Sequence, residues 1–227
     1  MDITHYYVEK GQGKPLVLLH GNGESSEFFV NQIDVFAEQY RVIAVDTRGH
    51  GRTPRGRAPF TIQQFSRDLS EFFKRLGLEK ADVLGFSDGG NIALQFAIDY
   101  PDKVGKLILN SANLDPSGLV RSLDIALREE YVRLLSSGKK DLETERQKEL
   151  LLLMLDDPHI PAEKLMSVKS KTLVIVGDRD LIKRTHSRLI AKMIPDSEFV
   201  VMRGDHSLAA KHPDEFNREV LRFLAEP

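Results

Sequence analysis

The sequence predicts an α/β fold class: a mainly parallel sheet covered by helices on both faces. Three observations carry that expectation. Short apolar runs alternate with amphipathic, helix-spaced stretches along most of the chain. The runs are rich in Leu, Ile and Val without polar alternation, as strands buried on both faces require. At 227 residues the chain can bury one such core and is too short for two ordinary domains. No internal repeat or low-complexity linker divides it, so one domain is expected over residues 1–227.

In chain order, Tyr6-Tyr7-Val8 reads as an antiparallel edge strand feeding a turn between Gly11 and Gly13. Buried parallel strands are expected at Leu16-Val17-Leu18-Leu19, Val42-Ile43-Ala44-Val45, Ala81-Asp82-Val83-Leu84, Leu107-Ile108-Leu109 and Leu173-Val174-Ile175-Val176. A last strand is expected at Glu198-Phe199-Val200-Val201-Met202. The clearest helix opens at Thr61, which with Gln64 has the spacing of a capping box, while Phe60 and Phe65 have that of a hydrophobic staple. Ile62, Phe65, Leu69, Phe72, Phe73 and Leu76 then form one apolar face, and Gly77 stands where a helix C-cap belongs. Further helices are expected over residues 91–100 and 213–224.

Residues 114–166 break the alternation. They hold no strand-like run, only helical patterns over 120–135 and 141–155. An all-helical insertion between two parallel strands is most simply a lid over the carboxyl edge of the sheet. The run 150–155 is apolar on every face, which suits a helix between core and cavity; ordinary packing or a dimer contact explains it equally well.

Composition narrows the partners. A net charge of -2 with 29% charged residues gives no nucleic-acid footprint and no polybasic membrane patch. Cysteine is absent, which removes disulfides, thiolate metal sites and cysteine nucleophiles. Met1-Asp2-Ile3-Thr4-His5 lacks the basic-then-apolar pattern of a signal peptide, and the run 150–155 is far too short to span a bilayer. The expectation is a cytoplasmic protein, monomer or homodimer, acting on a small molecule with no cofactor or metal.

Gly85-Phe86-Ser87-Asp88-Gly89 is the segment richest in chemistry, lying between an apolar strand and an amphipathic helix. A tight strand-to-helix turn pushes the serine hydroxyl out of the sheet edge, and only glycine lets the neighbouring backbone pass so close. The helix start aims N–H groups at the same spot, favouring an oxyanion. Two later strands end in polar groups: Gly177-Asp178-Arg179-Asp180 and Gly204-Asp205-His206. Of seven histidines only His206 has this placement; it would accept the Ser87 proton, unless it is a plain polar loop residue. Asp178 and Asp180 compete to orient it, and the local pattern does not separate them. The backbone N–H groups of Asp88 and of Asn22, in His20-Gly21-Asn22-Gly23, are the candidate oxyanion donors. His20 reads as a loop-fixing residue rather than a base. There is no G-x-G-x-x-G after the first strand and no G-x-x-x-x-G-K-[ST], so nucleotide binding is rejected.

Together with Asp46-Thr47-Arg48-Gly49-His50-Gly51, these segments resemble the α/β-hydrolase superfamily, especially its lid-bearing esterase, lactonase and carbon–carbon hydrolase branch. The resemblance spans nearly the whole chain in family order. It implies a Ser87, Asp180, His206 triad, choosing Asp180 over Asp178, and a structural turn at residues 46–51 in which Arg48 and His50 are not catalysts. Compared with typical members, the chain starts one strand late and the lid is short. Serine at position 87 argues against dehalogenases and epoxide hydrolases, which carry aspartate there. The run Ser87-Asp88-Gly89-Gly90 is similar to that of valacyclovir-hydrolase-like members, which implies that Asp88 binds a substrate α-ammonium group. The alternative is that Asp88 merely favours its helix N-terminus. The implied activity is hydrolysis of a small ester or lactone through an acyl-enzyme. Two alternatives stand beside it: hydrolysis of a carbon–carbon bond in a dienol-type ring-cleavage product, and a non-catalytic binding protein on the same fold.

Overall fold

The computed structural model describes residues 2–226. Its strands are β1 (Tyr7–Lys10), β2 (Lys14–Leu19), β3 (Tyr40–Val45), β4 (Ala81–Phe86), β5 (Val104–Asn110), β6 (Thr172–Arg179) and β7 (Ser197–Asp205). They form one sheet in the order β1-β3-β2-β4-β5-β6-β7. Only β1 runs antiparallel, pairing Tyr7 with Val45 and Lys10 with Val42. The expected mainly parallel, helix-flanked sheet is the observed one.

The period of two along β2 divides the core. Leu16 and Leu18 pack with Phe36, Phe216, Val220 and Phe223 on one face. Val17 and Leu19 pack with Phe65, Phe72, Phe73 and Phe96 on the other. Helices α1 (Val30–Phe36) and α8 (Pro213–Ala225), with the one-turn α7 (Leu208–Lys211) before the latter, therefore cover the first face, and α2 (Ile62–Arg75) and α3 (Asp88–Asp99) the second. A buried amide pair joins α1 to the end of the chain. Gln32 Nε2 donates to Ala209 O at 2.8 Å and to Asn217 Oδ1 at 3.0 Å, and Asn217 Nδ2 donates to Asn31 O at 2.8 Å.

The start and stop of α2 follow from its sequence, with one correction. Thr61 Oγ1 accepts from Gln64 N at 3.2 Å, and the Phe60 and Phe65 rings meet edge-on with centroids 4.9 Å apart. The reciprocal half of the capping box, Thr61 N to the Gln64 side-chain oxygen, is not formed, because the Gln64 side chain turns along the helix, where its Nε2 donates to Asp68 Oδ1 at 2.9 Å. The Asp68 carboxylate, held by the buried Arg48, is a strong acceptor for that amide N–H. At the far end Gly77 has φ +64°, Leu78 N donates to Phe73 O, and Gly77 N donates to Lys74 O. This paired termination needs the left-handed conformation that glycine adopts freely.

Three helices fall outside the sequence-based expectations: α1, α6 (Arg184–Met193), preceding β7, and the one-turn α7. Between β5 and β6 the chain forms α4 (Arg121–Ser136) and α5 (Leu142–Leu155), where helices were expected. They enclose a small apolar cluster of Leu127, Leu134 and Leu151 with Leu119 and Ile182. The 150–155 run is not covered all round: Leu153 is buried, but Leu152 remains 39% exposed. Among the described residues no helix is long and apolar enough to cross a membrane.

The strand order positions the site. The chain steps from β2 outward to β3, then crosses to β4 on the other side of β2. Where such a sheet reverses its winding, the loops leaving the carboxyl ends part and open a crevice. The loops after β2 and β4 carry Asn22 and Ser87.

Candidate active site

Ser87 sits between β4 and α3 with φ +53° and ψ −119°, an uncommon conformation for a residue with a Cβ. The glycines around it are required by contact distances. A Cβ on Gly85 would lie 2.1 Å from Gly89 O, and one on Gly89 would lie 2.1 Å from Leu19 O. The elbow is therefore pressed against the end of β2, which brings the two loops together.

His206 follows β7 and Asp180 follows β6. His206 Nε2 lies 3.1 Å from Ser87 Oγ, and its Nδ1 lies 2.7 Å from Asp180 Oδ1. The two contacts use opposite ring nitrogens: with a proton on Nδ1, Nε2 is free to accept from the serine. Asp180 also accepts from Ile182 N at 3.0 Å, Gly177 N at 3.1 Å and Ser111 Oγ at 2.6 Å. Burial works to raise its pKa, but the bond and charge of His206 and the other donors outweigh it and hold the carboxyl below its usual value. Asp178, the competitor, is exposed and accepts from Gly204 N at 2.9 Å, tying β6 to β7.

The other sequence candidates lie as follows. His20 is buried, with Nδ1 2.8 Å from Gly21 O and Nε2 accepting from Thr47 N at 3.0 Å. Burial lowers its pKa, so it is a neutral loop brace. Arg48 is fully buried in a two-pronged pair with Asp68, and His50 Nδ1 lies 2.9 Å from Arg48 O. Neither lines the cavity that holds Ser87. The backbone N–H groups of Asn22 and Asp88 make no hydrogen bond to any described residue, and both residues line that cavity. Their side chains meet as well: Asn22 Nδ2 donates to Asp88 Oδ2 at 2.8 Å and to Leu150 O of α5 at 3.0 Å. Asp88 Oδ1 accepts from Asn91 Nδ2 at 3.2 Å.

The cavity measures about 280 Å³. Leu119, Leu123, Leu127, Met154 and Leu181 give the apolar part of the lining that the cavity shares with Ser87 and His206. Its charged lining is of one sign: Glu24, Asp88 and Asp157, with no Lys or Arg. Burial pushes the Asp88 carboxyl up to about 6, against the Asn22 bond and helped by the Asp157 charge. Burial also raises Glu24 and Asp157. Neither Glu24 nor Asp157 was singled out by the sequence reading. Asp157 had no usable signal, since what brings it here is its bond from Ile62 N at 2.5 Å.

Known proteins agree with this architecture. Residues 14–137 match the family model described as alpha/beta hydrolase fold. A protein of Rhizobium rhizogenes named "Putative carbamate hydrolase RutD" is 30% identical, over 96% of this chain and 95% of its own. A 2-hydroxy-6-oxononadienedioate/2-hydroxy-6-oxononatrienedioate hydrolase of Paraburkholderia phymatum is 32% identical, over 99% of this chain and 92% of its own. The solved enol-lactonase from Burkholderia xenovorans LB400 superposes with a TM-score of 0.81 at 22% identity, covering 98% of this chain and 96% of that one.

Proposed function

The chain belongs to the α/β-hydrolase family, and from that premise we propose that it is a serine hydrolase cleaving small esters or lactones, with a preference for those bearing an amine. The observation that carries the reading is the unbroken chain Ser87–His206–Asp180, at 3.1 and 2.7 Å, beside a cavity of small-molecule size. Ser87 Oγ attacks the carbonyl carbon while His206 Nε2 takes its proton, and Asp180 holds the Nδ1–H tautomer and balances the imidazolium. The Asn22 and Asp88 N–H groups receive the oxyanion. The intermediate collapses, the C–O bond breaks and the leaving oxygen takes the proton from Nε2. Water then attacks the acyl-enzyme by the same route and frees Ser87. Helices α4 and α5 act as the lid, since Leu127 and Met154 roof the cavity.

The charge of the lining supports the choice of substrate. Three carboxylates without a lysine or arginine favour a cation near the acyl group. They disfavour carboxylate substrates of the kind that the dienedioate relative's name describes. Carbon–carbon hydrolysis shares the triad, but a dienoate substrate would bring a further negative charge into this lining.

Turnover of a short p-nitrophenyl ester by wild type and Ser87→Ala tests the reaction. A fall of about 10⁴-fold or more is expected; equal rates would mean another nucleophile. For the substrate, Asp88→Asn should lower the ratio of aminoacyl-ester to plain-ester turnover. An unchanged ratio removes Asp88 as the amine partner.

A further inference from the structure

We infer that Asn110 and Ser111, at the carboxyl end of β5, form a brace that sets the distance between the nucleophile and the acid, with Ser111 as the positioning residue for Asp180. The inference rests on the Ser87–His206–Asp180 reading and adds residues that the sequence motifs do not mark. Both side chains are fully buried. The dipeptide touches both ends of the triad. Ser87 N donates to Asn110 O at 2.8 Å, and one residue later Ser111 Oγ donates to Asp180 Oδ2 at 2.6 Å. Only one peptide unit separates the contact under the nucleophile from the contact under the acid.

The direction of the Ser111 hydroxyl is fixed by its neighbour. Asn110 Nδ2 donates to Ser111 Oγ at 2.9 Å and to Ile175 O at 3.3 Å. Because that amide occupies a lone pair on Oγ, the hydroxyl proton is left for the carboxylate. Ser111 is, besides Ser87, the non-glycine residue with a left-handed backbone among the described residues, at φ +58°. A strained conformation persists where the surroundings over-determine it. Here Ser111 N is held by Ile175 O at 3.1 Å, and the strained turn directs the hydroxyl at Asp180.

The chemical consequence concerns charge. A hydroxyl hydrogen bond drains part of the negative charge from Asp180, on the oxygen that does not face His206. It fixes the carboxylate rotamer and moderates how strongly Asp180 stabilises the imidazolium. Without it, more of the negative charge would fall on the carboxylate oxygen that faces His206, and the imidazolium formed during the reaction would be held more tightly.

Ser111→Gly is the decisive variant, because glycine keeps the left-handed turn while removing the hydroxyl. Ser111→Ala serves as the second. Ester hydrolysis by wild type and both variants is followed as kcat/KM against pH, with urea unfolding alongside. For Ser111→Gly, kcat should fall about ten- to a hundred-fold. KM should stay within about twofold, and the acid limb of the profile should move up by roughly half a pH unit. A merely structural role would lower the unfolding midpoint and leave the acid limb in place, which overturns the inference. An active wild type matched by Ser111→Gly also overturns it and leaves the hydrolase reading standing. A wild type that neither turns over the ester nor reacts at Ser87 with a fluorophosphonate overturns both together.

Discussion

The sheet edge that carries Ser87 and the helical insertion above it are built on different principles. At the edge, backbone meets backbone: the elbow glycines press against Leu19 O and Gly89 O at distances no side chain would tolerate. The insertion is held by side chains that reach across. Asn22 bonds Leu150 O, Arg55 pairs with Glu149 at 2.6 Å, and Arg146 Nε reaches Gly49 O at 3.4 Å. Apolar surface there stays open to solvent, with Val132 59% and Leu135 52% exposed. The contrast teaches that the groups assigned to chemistry, with Asp88 beside them, stand on the part of the molecule with least freedom to shift, and the apolar lining contributed by α4 and α5 on the part with most.

Gly89→Ala should break the comparison from the rigid side. Its Cβ would meet the backbone carbonyls of both Leu19 and His20, so a loss of about 3 kcal/mol or more in urea unfolding is expected, with ester turnover lost as well. A variant that folds and works normally would show the edge to be more pliable than its contacts suggest.

Acid should attack the same side. Burial holds His5 and His50 down at about 4, against 6.5 for the free side chain. The unfolded chain therefore binds more protons between these values, and stability is lost as pH falls from about 6.5 to about 4, by up to roughly 3 kcal/mol per histidine. Helices α4 and α5 contain no histidine, so the loss belongs to the core. Unfolding free energy against pH, for wild type and His5→Gln, measures one share of the slope.

The insertion should respond differently. Arg55 and Glu149 are each more than a third exposed, so a double-mutant cycle should give no more than about 0.5 kcal/mol in unfolding. Loosening α5 should still raise KM roughly threefold with kcat little changed. The smallest effect belongs to Leu142→Ser: the side chain is 91% exposed, and its unfolding free energy should stay within about 0.5 kcal/mol of wild type.

The same contrast governs how much could be read from the sequence. Strands β2 to β6 were legible because burial on both faces demands continuous apolar runs, and the elbow because backbone crowding demands glycine at 85 and 89. His206 was found by its place after a strand, whereas Asp178 and Asp180 look alike in the local pattern and only the resemblance chose Asp180; the fold turns Asp180 toward the imidazole and Asp178 toward Gly204 N. Glu24 and Asp157 were invisible as cavity residues, because their location depends on bonds to Gly21 N and Ile62 N. The capping box failed for a related reason, since the Gln64 side chain is drawn along the helix by the Asp68 carboxylate, to which its Nε2 donates, and away from the Thr61 N–H. Ser111 left no motif, because a left-handed serine looks like any other in one-letter code.

The amide pair between Gln32 and Asn217 sets the order of events at the ribosome. The partners are 185 residues apart, so α1 cannot satisfy Gln32 until α8 has been made. Contacts of such long range form late and slow the search for the native state. His206 belongs to the same final stretch of chain as Asn217. A nascent chain halted before that stretch lacks the imidazole of the proposed triad and a wall of its core together, so on the proposed mechanism incomplete synthesis products carry Ser87 without a proton acceptor.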